Sequence, residues 1–437
     1  MRAIRRGFRS IAGGATIAAA AFSGALAQSP NGFSGIFNVQ PVTAQAPAQA
    51  THPAMSPMAL ASAQANFPYC IEAMWPLAAK RHISRGTFDR QTRGLTPDMK
   101  IMELLDRQPE FSKPVWSYLD DLVSESRINA GRAMIAQHRA LFDAVERTYG
   151  VDRYIITAIW GIESNFGPQG GERSVVRSTA TLACIGRRQA YFRDEFLTAL
   201  EIIDRGDVPA ELMKGSWAGA FGPTQFMPTA YKRYAVDFDG DGHRNTVQSL
   251  ADLLASTANN LKKNGWHSGA SWGYEVKLPQ HFNYMLSGRS IKKSIHTWES
   301  LGVRRVTGQP FPRANDVASL LVPAGSNGPA FLVVNNFRTI MRYNPSESYA
   351  LAIGHLADRI RGGGPIVQTW PRDEMPLSRT ERIELQQRLS ARGYDLGDSD
   401  GHFGPRTRDA IRDVQARAGL VPDGFVSVKF IDWLRRN

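Results

Sequence analysis

The chain has 437 residues, of which 43% are hydrophobic, with 21 Phe and 9 Trp. That is enough apolar mass for one large domain plus a small one and excludes a wholly disordered protein. The formal charge is +12 at pH 7, and in an exported chain a basic surface points to an anionic wall or membrane rather than to nucleic acid; no nucleic-acid role is expected.

Export is read from the start of the chain. Arg2, Arg5, Arg6 and Arg9 form a basic head, an apolar run follows from Ile11 to Leu26, and Ala25-Leu26-Ala27 is a small-x-small cleavage site. Residues 1–27 therefore read as a signal peptide cleaved after Ala27, leaving a mature chain near +8. The competing membrane anchor is disfavoured because Gly and Ser dilute a run already short for a span. No later stretch is long and apolar enough to cross a bilayer, and the expected location is the periplasm. The Arg pair does not by itself decide between the general and the twin-arginine route.

From Gln28 to about Ala65 the chain is rich in Ala, Pro, Gln and Ser, so residues 28–66 are expected to be a flexible leader. Order should begin at Phe67, where Phe67, Ile71, Met74, Trp75 and Ala78 recur at helical spacing. Ser124 to Tyr149 predicts one long amphipathic helix stopped by Gly150. Asp152 caps the next, with Ile155, Ile156, Ile159, Ile162 and Phe166 as its buried stripe. Further helices are predicted at 190–205, 228–234 and 249–264. Strands are predicted at 274–278, 318–322 and 330–334, the last two joined by Gly325-Ser326-Asn327-Gly328.

Arg361-Gly362-Gly363-Gly364-Pro365 is the clearest breaker. It divides a large domain over 67–361 from a linker over 362–376 and a small unit over 377–437. Two cysteines, Cys70 and Cys184, read as a disulfide in an oxidising compartment, with two buried thiols as the competing reading.

The chemistry centres on Ala158-Ile-Trp-Gly-Ile-Glu163-Ser-Asn-Phe-Gly167. It places one carboxylate near the C-terminal end of an apolar helix. Desolvation by Ile159, Trp160 and Phe166, and the negative end of the helix dipole, both favour the protonated acid. An acid that keeps its proton near neutral pH is what protonation of a glycosidic oxygen requires.

A second block, Gly215-Ser-Trp-Ala-Gly-Ala-Phe-Gly-Pro-Thr-Gln225-Phe-Met-Pro-Thr-Ala-Tyr231, is a Gly-rich loop entering a helix. Its small residues let backbone approach a sugar. Its Ser216 and Gln225 can bond hydroxyl and acetamido groups, and Trp217, Phe221 and Phe226 can stack on sugar faces.

Together the two blocks resemble the membrane-bound lytic transglycosylase B family, over about Phe67 to Ile360. The resemblance implies a mainly α (α+β), lysozyme-like fold with a small β-hairpin region, and Glu163 as catalytic acid. It implies a glycan cleft containing Ser216, Gln225 and Phe226. It assigns Arg187 and Arg188 to the carboxylates of peptide stems, and it carries Asn336 and Tyr343 over as cleft residues. It implies a peptidoglycan substrate and no cofactor for catalysis.

Asp237-Phe-Asp239-Gly-Asp241-Gly-His243 matches the start of a calcium loop. Asp237, Asp239 and Asp241 would supply oxygens, and His243 a backbone carbonyl. Gln248 stands where such a loop has its final Glu, and Asp252 is the candidate replacement, as related enzymes use a displaced Asp. This reading, a structural calcium ion, is favoured over a metal-free Asx-rich turn.

The C-terminal unit carries Leu385-Gln-Gln-Arg-Leu389, Asp400-Gly401 and Asp423-Gly424. It resembles a three-helix peptidoglycan-binding domain over about Leu377 to Leu434, expected to anchor the enzyme and to do no chemistry.

Only one carboxylate stands in the matching blocks, whereas glycoside hydrolases use two. The expected reaction is non-hydrolytic cleavage between N-acetylmuramic acid and N-acetylglucosamine, giving 1,6-anhydromuramyl ends. The alternatives are a muramidase hydrolase using the same acid and a catalytically silent wall-binding scaffold. The sequence specifies no oligomeric state, and a monomer is the default expectation.

Overall fold

In a computed structural model, the described residues are 56–105, 113–168, 170–375 and 377–437. The expected signal peptide and residues 28–55 of the expected leader lie outside them. Residues 57–65 of that leader form a helix, α1 (Pro57–Ala65), started by the Ser56 hydroxyl accepting Ala59 N–H at 3.2 Å. Its run of Ala and Leu favours helix once a cap is present, and Leu60 and Ala63 rest against the core. Helix is thus present from Pro57, ten residues before Phe67.

Short helices follow: α2 (Phe67–Glu72), α3 (Trp75–Lys80) and α4 (Arg85–Thr92). Beyond them come α5 (Val115–Leu122), α6 (Glu125–Gln137), α7 (Arg139–Tyr149) and α8 (Arg153–Ser164). The single helix predicted over 124–149 is therefore two, parted at His138, whose ψ of 30° leaves the helical region. Packing explains the break. The first half, α6, lies on α8 and on a later helix at 347–361, while α7 packs chiefly on the helix at 250–263.

Gly150 closes α7 in the left-handed region with φ 67°. The Asp152 carboxylate then accepts Tyr154 N–H at 2.8 Å to start α8. Every residue of α8 from Ile155 to Gly161 is buried, so the predicted stripe is in fact a helix buried on all sides.

Next come β1 (Arg173–Ser174), α9 (Val175–Cys184), α10 (Gln189–Asp204), β2 (Lys214–Gly215), α11 (Pro228–Tyr234) and α12 (Leu250–Lys263). A second region begins with β3 (Gly273–Lys277), β4 (Lys293–Ser294), α13 (Ile295–Ser300), β5 (Arg304–Arg305), β6 (Val317–Leu321) and β7 (Ala330–Val333). Its sheet runs β4-β6-β7-β3-β5, with antiparallel neighbours. The β6–β7 hairpin pairs Leu320 with Leu332, and Val276, Leu320, Leu332 and Trp298 form its core.

The chain returns to the helical core through α14 (Asn335–Tyr343) and α15 (Glu347–Arg361). Helix α15 packs along α8, joining Ile155, Ile159 and Trp160 to Leu351, Leu356 and Ile360 in one apolar cluster. Gly362, φ 113°, ends α15. The segment after it is fastened down. The Glu275 carboxylate accepts Val367 N–H at 2.9 Å and Gln368 N–H at 2.8 Å, and the Trp370 ring lies between Trp116 and Phe331.

Three helices, α16 (Arg379–Ala391), α17 (Pro405–Arg417) and α18 (Val428–Arg436), make the C-terminal unit around Leu385, Ile411 and Ile431. Ser378 and Glu381 start α16 with a capping box. Each Asp-Gly turn is clasped by a buried amide. Gln386 accepts Gly401 N–H at 2.7 Å and donates to His402 O at 3.1 Å. Gln415 likewise accepts Gly424 N–H at 2.8 Å and donates to Phe425 O at 3.0 Å. Among the described residues no helix is long and apolar enough to span a membrane.

Candidate active site

Glu163 stands in the last turn of α8, half-buried. The chain breaks sharply behind it, with Asn165 at φ 53° and Phe166 at φ 62°. Two successive non-glycine residues in that region are costly, and packing holds them there. The Phe166 ring meets Trp160 edge-on at 5.4 Å and fills notches left by Gly131 and Gly161. The Ser164 hydroxyl lies 3.2 Å from both Trp160 O and Gly167 O, tying the turn to the helix. The Glu-Ser-Asn-Phe-Gly run is thus a device for ending a buried helix within one turn of its carboxylate.

Across the α8–α15 contact, the Tyr349 hydroxyl donates to Glu163 Oε1 at 2.6 Å. Tyr343 lies beside it and donates to Thr224 O at 2.5 Å. Burial, and after it the charge of Glu163, push both phenols well above their ordinary range. They therefore remain neutral donors across the physiological range. Tyr349 is absent from the residues singled out in the sequence. Its signal was a Tyr within an apolar helix, since a buried phenol requires a hydrogen-bond partner.

The loop from Gly215 to Phe226 forms the facing wall. A Cβ on Gly215 would fall 1.8 Å from Ala220 O, so only glycine fits there. The Ser216 hydroxyl accepts Ala220 N–H at 3.1 Å, which leaves its own proton to donate. Gln225, φ 52°, donates to Gly222 O at 2.9 Å. Its side chain also reaches Gly170, where a Cβ would lie 2.4 Å from Nε2.

The expected stacking by Phe221 and Phe226 is corrected. They are 0% and 2% exposed, in the core beneath the loop, with no ring face for a sugar. Phe226 instead supports Tyr343, ring to ring at 5.8 Å. The half-buried Trp217 keeps part of its surface.

Asn336 is also corrected. Its side chain is spent on one loop, accepting His267 N–H at 2.8 Å and donating to His267 O at 2.9 Å and Ala270 O at 2.8 Å. With 0% exposure it has nothing to offer a ligand.

Arg187 and Arg188 stand on a separate, half-buried turn between α9 and α10. The Arg188 guanidinium lies 4.4 Å over the Tyr191 ring. That turn follows Cys184, which is bonded to Cys70 of α2 with Cα atoms 6.0 Å apart.

In the acidic loop, carboxylate oxygens of Asp237, Asp239 and Asp252 lie within 4.8 Å of one another. Asp241 is not in the group, and its Oδ1 accepts His243 N–H at 2.8 Å. Asp252 is fully buried and accepts Phe238 N–H and Asn245 N–H, both at 2.7 Å. Burial, with the nearby Asp239 charge, raises its carboxyl above the usual range. Three converging carboxylates, one in a desolvated position, suit a hard cation that takes oxygen ligands.

The profile of the transglycosylase SLT domain matches residues 66–358, and that of a putative peptidoglycan-binding domain matches residues 378–434. The chain belongs to the SLT transglycosylase family. Among curated relatives, membrane-bound lytic murein transglycosylase B of Escherichia coli K12 is 32% identical over 276 residues, covering 60% of this chain and 73% of that protein. Among solved structures, SltB3 of Pseudomonas aeruginosa in complex with NAG-anhNAM-pentapeptide is 48% identical, with a TM-score of 0.81 over 84% of this chain and 99% of that one. The Escherichia coli lytic transglycosylase Slt35 in complex with calcium is 29% identical, with a TM-score of 0.57 over 68% of this chain and 92% of that one. Membership in the SLT family makes this protein an enzyme with the lysozyme-like fold of lytic transglycosylases.

Proposed function

We propose that this lytic transglycosylase cleaves the β-1,4 bond between N-acetylmuramic acid and N-acetylglucosamine without water, Glu163 serving first as acid and then as base. Glu163 donates its proton to the glycosidic oxygen, and positive charge develops at the anomeric carbon, where the 2-acetamido group assists. The carboxylate then takes the proton of the muramic acid 6-hydroxyl as that oxygen attacks the anomeric carbon. The product is a 1,6-anhydro ring, and the enzyme regains its proton.

The observation that carries this reading is the Tyr349 bond to Glu163 Oε1 at 2.6 Å. A neutral donor fixes the carboxyl in one orientation through both proton transfers and steadies it while it is charged. The anhydro sugar bound to SltB3 is the expected product type. A hydrolase would need a second carboxylate to activate water, and Glu163 is the single carboxylate in the two sequence blocks 158–167 and 215–231.

Ser216 and Gln225 contact the glycan, and Arg187 and Arg188 receive stem carboxylates. Residues 67–361 form the catalytic domain, and residues 377–437 hold the enzyme on peptidoglycan from the end of the 362–376 linker. The enzyme works in the periplasm after loss of residues 1–27. Asp237, Asp239 and Asp252 would hold a calcium ion that braces the loop before α12 and takes no part in catalysis.

Digestion of purified sacculi, with muropeptides read by mass spectrometry, tests the reaction. Ends one water lighter than reducing ends are expected from the wild type and none from Glu163→Gln. Reducing ends would favour the muramidase, and release by Glu163→Gln would refute the role of Glu163.

A further inference from the structure

The first turn of α15 touches two things at once. Tyr349 reaches Glu163 from one side. Two residues earlier, and so on another face, Glu347 points toward the C-terminal unit. Its carboxylate accepts Arg289 Nε at 2.6 Å and lies 3.9 Å from the guanidinium of Arg408 on α17. Burial pushes the Glu347 carboxyl up, but Arg408, Arg289 and Arg412 outweigh it and hold the group below its usual range.

The C-terminal unit is seated closely enough for that contact to persist. Arg412 is buried, and a Cβ on Gly288 would fall 2.9 Å from its guanidinium. Asp423 accepts Ser326 N–H at 2.8 Å, and a Cβ on Gly325 would strike Asp423 and Phe425, both at 2.6 Å. With the 362–376 segment also fastened at Glu275 and Trp370, the seat is built from both ends.

We propose that Glu347 is a positioning residue, and that Arg408 of the wall-binding unit, by pairing with it, sets the first turn of α15 and so the Tyr349 hydroxyl on Glu163. The C-terminal unit is then part of the catalytic geometry as well as an anchor. The inference rests on the reading of Glu163 as the catalytic acid. Its cost when broken is a loss of alignment, to which proton transfer is sensitive even when the change is remote.

The test uses the full chain on a soluble glycan fragment too short for wall retention to matter. Glu347→Gln and Arg408→Ala should each lower kcat about tenfold while KM stays within about twofold. The double variant should fall no further than Glu347→Gln alone, because that change already removes the Arg408 pair along with the Arg289 bond. Arg408→Lys should recover most of the rate, and pull-down on sacculi should persist in Glu347→Gln. Arg408 is exposed enough at 37% that Arg408→Ala should fold, which a thermal melt checks. An unchanged kcat in folded Arg408→Ala, or additive losses in the double variant, would overturn the proposal. Full turnover in Glu163→Gln, run beside them, would instead strike the reading of Glu163.

Discussion

Phe166 lies so close over Gly161 that a Cβ on Gly161 would fall 2.7 Å from its Cζ. The ring fixes the left-handed turn behind Glu163, so Gly161 governs where the acid stands. Gly161→Ala should cost about 1–3 kcal/mol of stability by overpacking and displace Phe166. Calorimetry and turnover should fall together, and a variant with unchanged melting and turnover would show that the notch is not needed.

Tyr349→Phe removes the donor to Glu163 and little volume. A hydrogen bond to a charged group is worth about 1.5–3 kcal/mol, so kcat should fall roughly 10- to 100-fold with KM nearly constant. Steady-state kinetics on a soluble glycan decides it. A loss confined to KM would place Tyr349 in substrate binding.

Asn336 separates structure from binding. Asn336→Ala strands His267 N–H and two carbonyls, at a cost of about 3 kcal/mol. Its melting temperature should drop while the kcat/KM of the folded fraction stays within about threefold. A large rise in KM with normal melting would restore its place in the cleft.

The acidic loop should bind calcium through Asp237, Asp239 and Asp252. At a hundred times the dissociation constant, bound calcium should add about 2.7 kcal/mol, seen as a raised melting temperature that chelation reverses. Asp252→Asn should abolish the gain without changing the chelated protein's activity. A melting temperature indifferent to calcium would leave the loop as an Asx-rich turn.

Local signals were legible in the sequence. The cap at Asp152, the stop at Gly150 and the helix over 228–234 lie where chain order puts them, because each depends on residues within one turn. The turn behind Glu163 was legible because it is encoded in consecutive residues. Tyr349 was not, since its partner is 186 residues away and is supplied by the packing of α15 on α8. The break at His138 escaped for the same kind of reason, because an amphipathic stripe does not say that its halves pack chiefly on different helices. Phe221, Phe226 and Asn336 were misplaced because residue type shows what a side chain can do, whereas burial decides whether a sugar can reach it.

The central claim is that the sugar's own hydroxyl, and no water, closes the reaction at Glu163. Digestion of sacculi in water enriched in oxygen-18, followed by mass spectrometry of the released ends, tests it most directly. The account expects anhydro ends free of the label. Reducing ends carrying one heavy oxygen would contradict it.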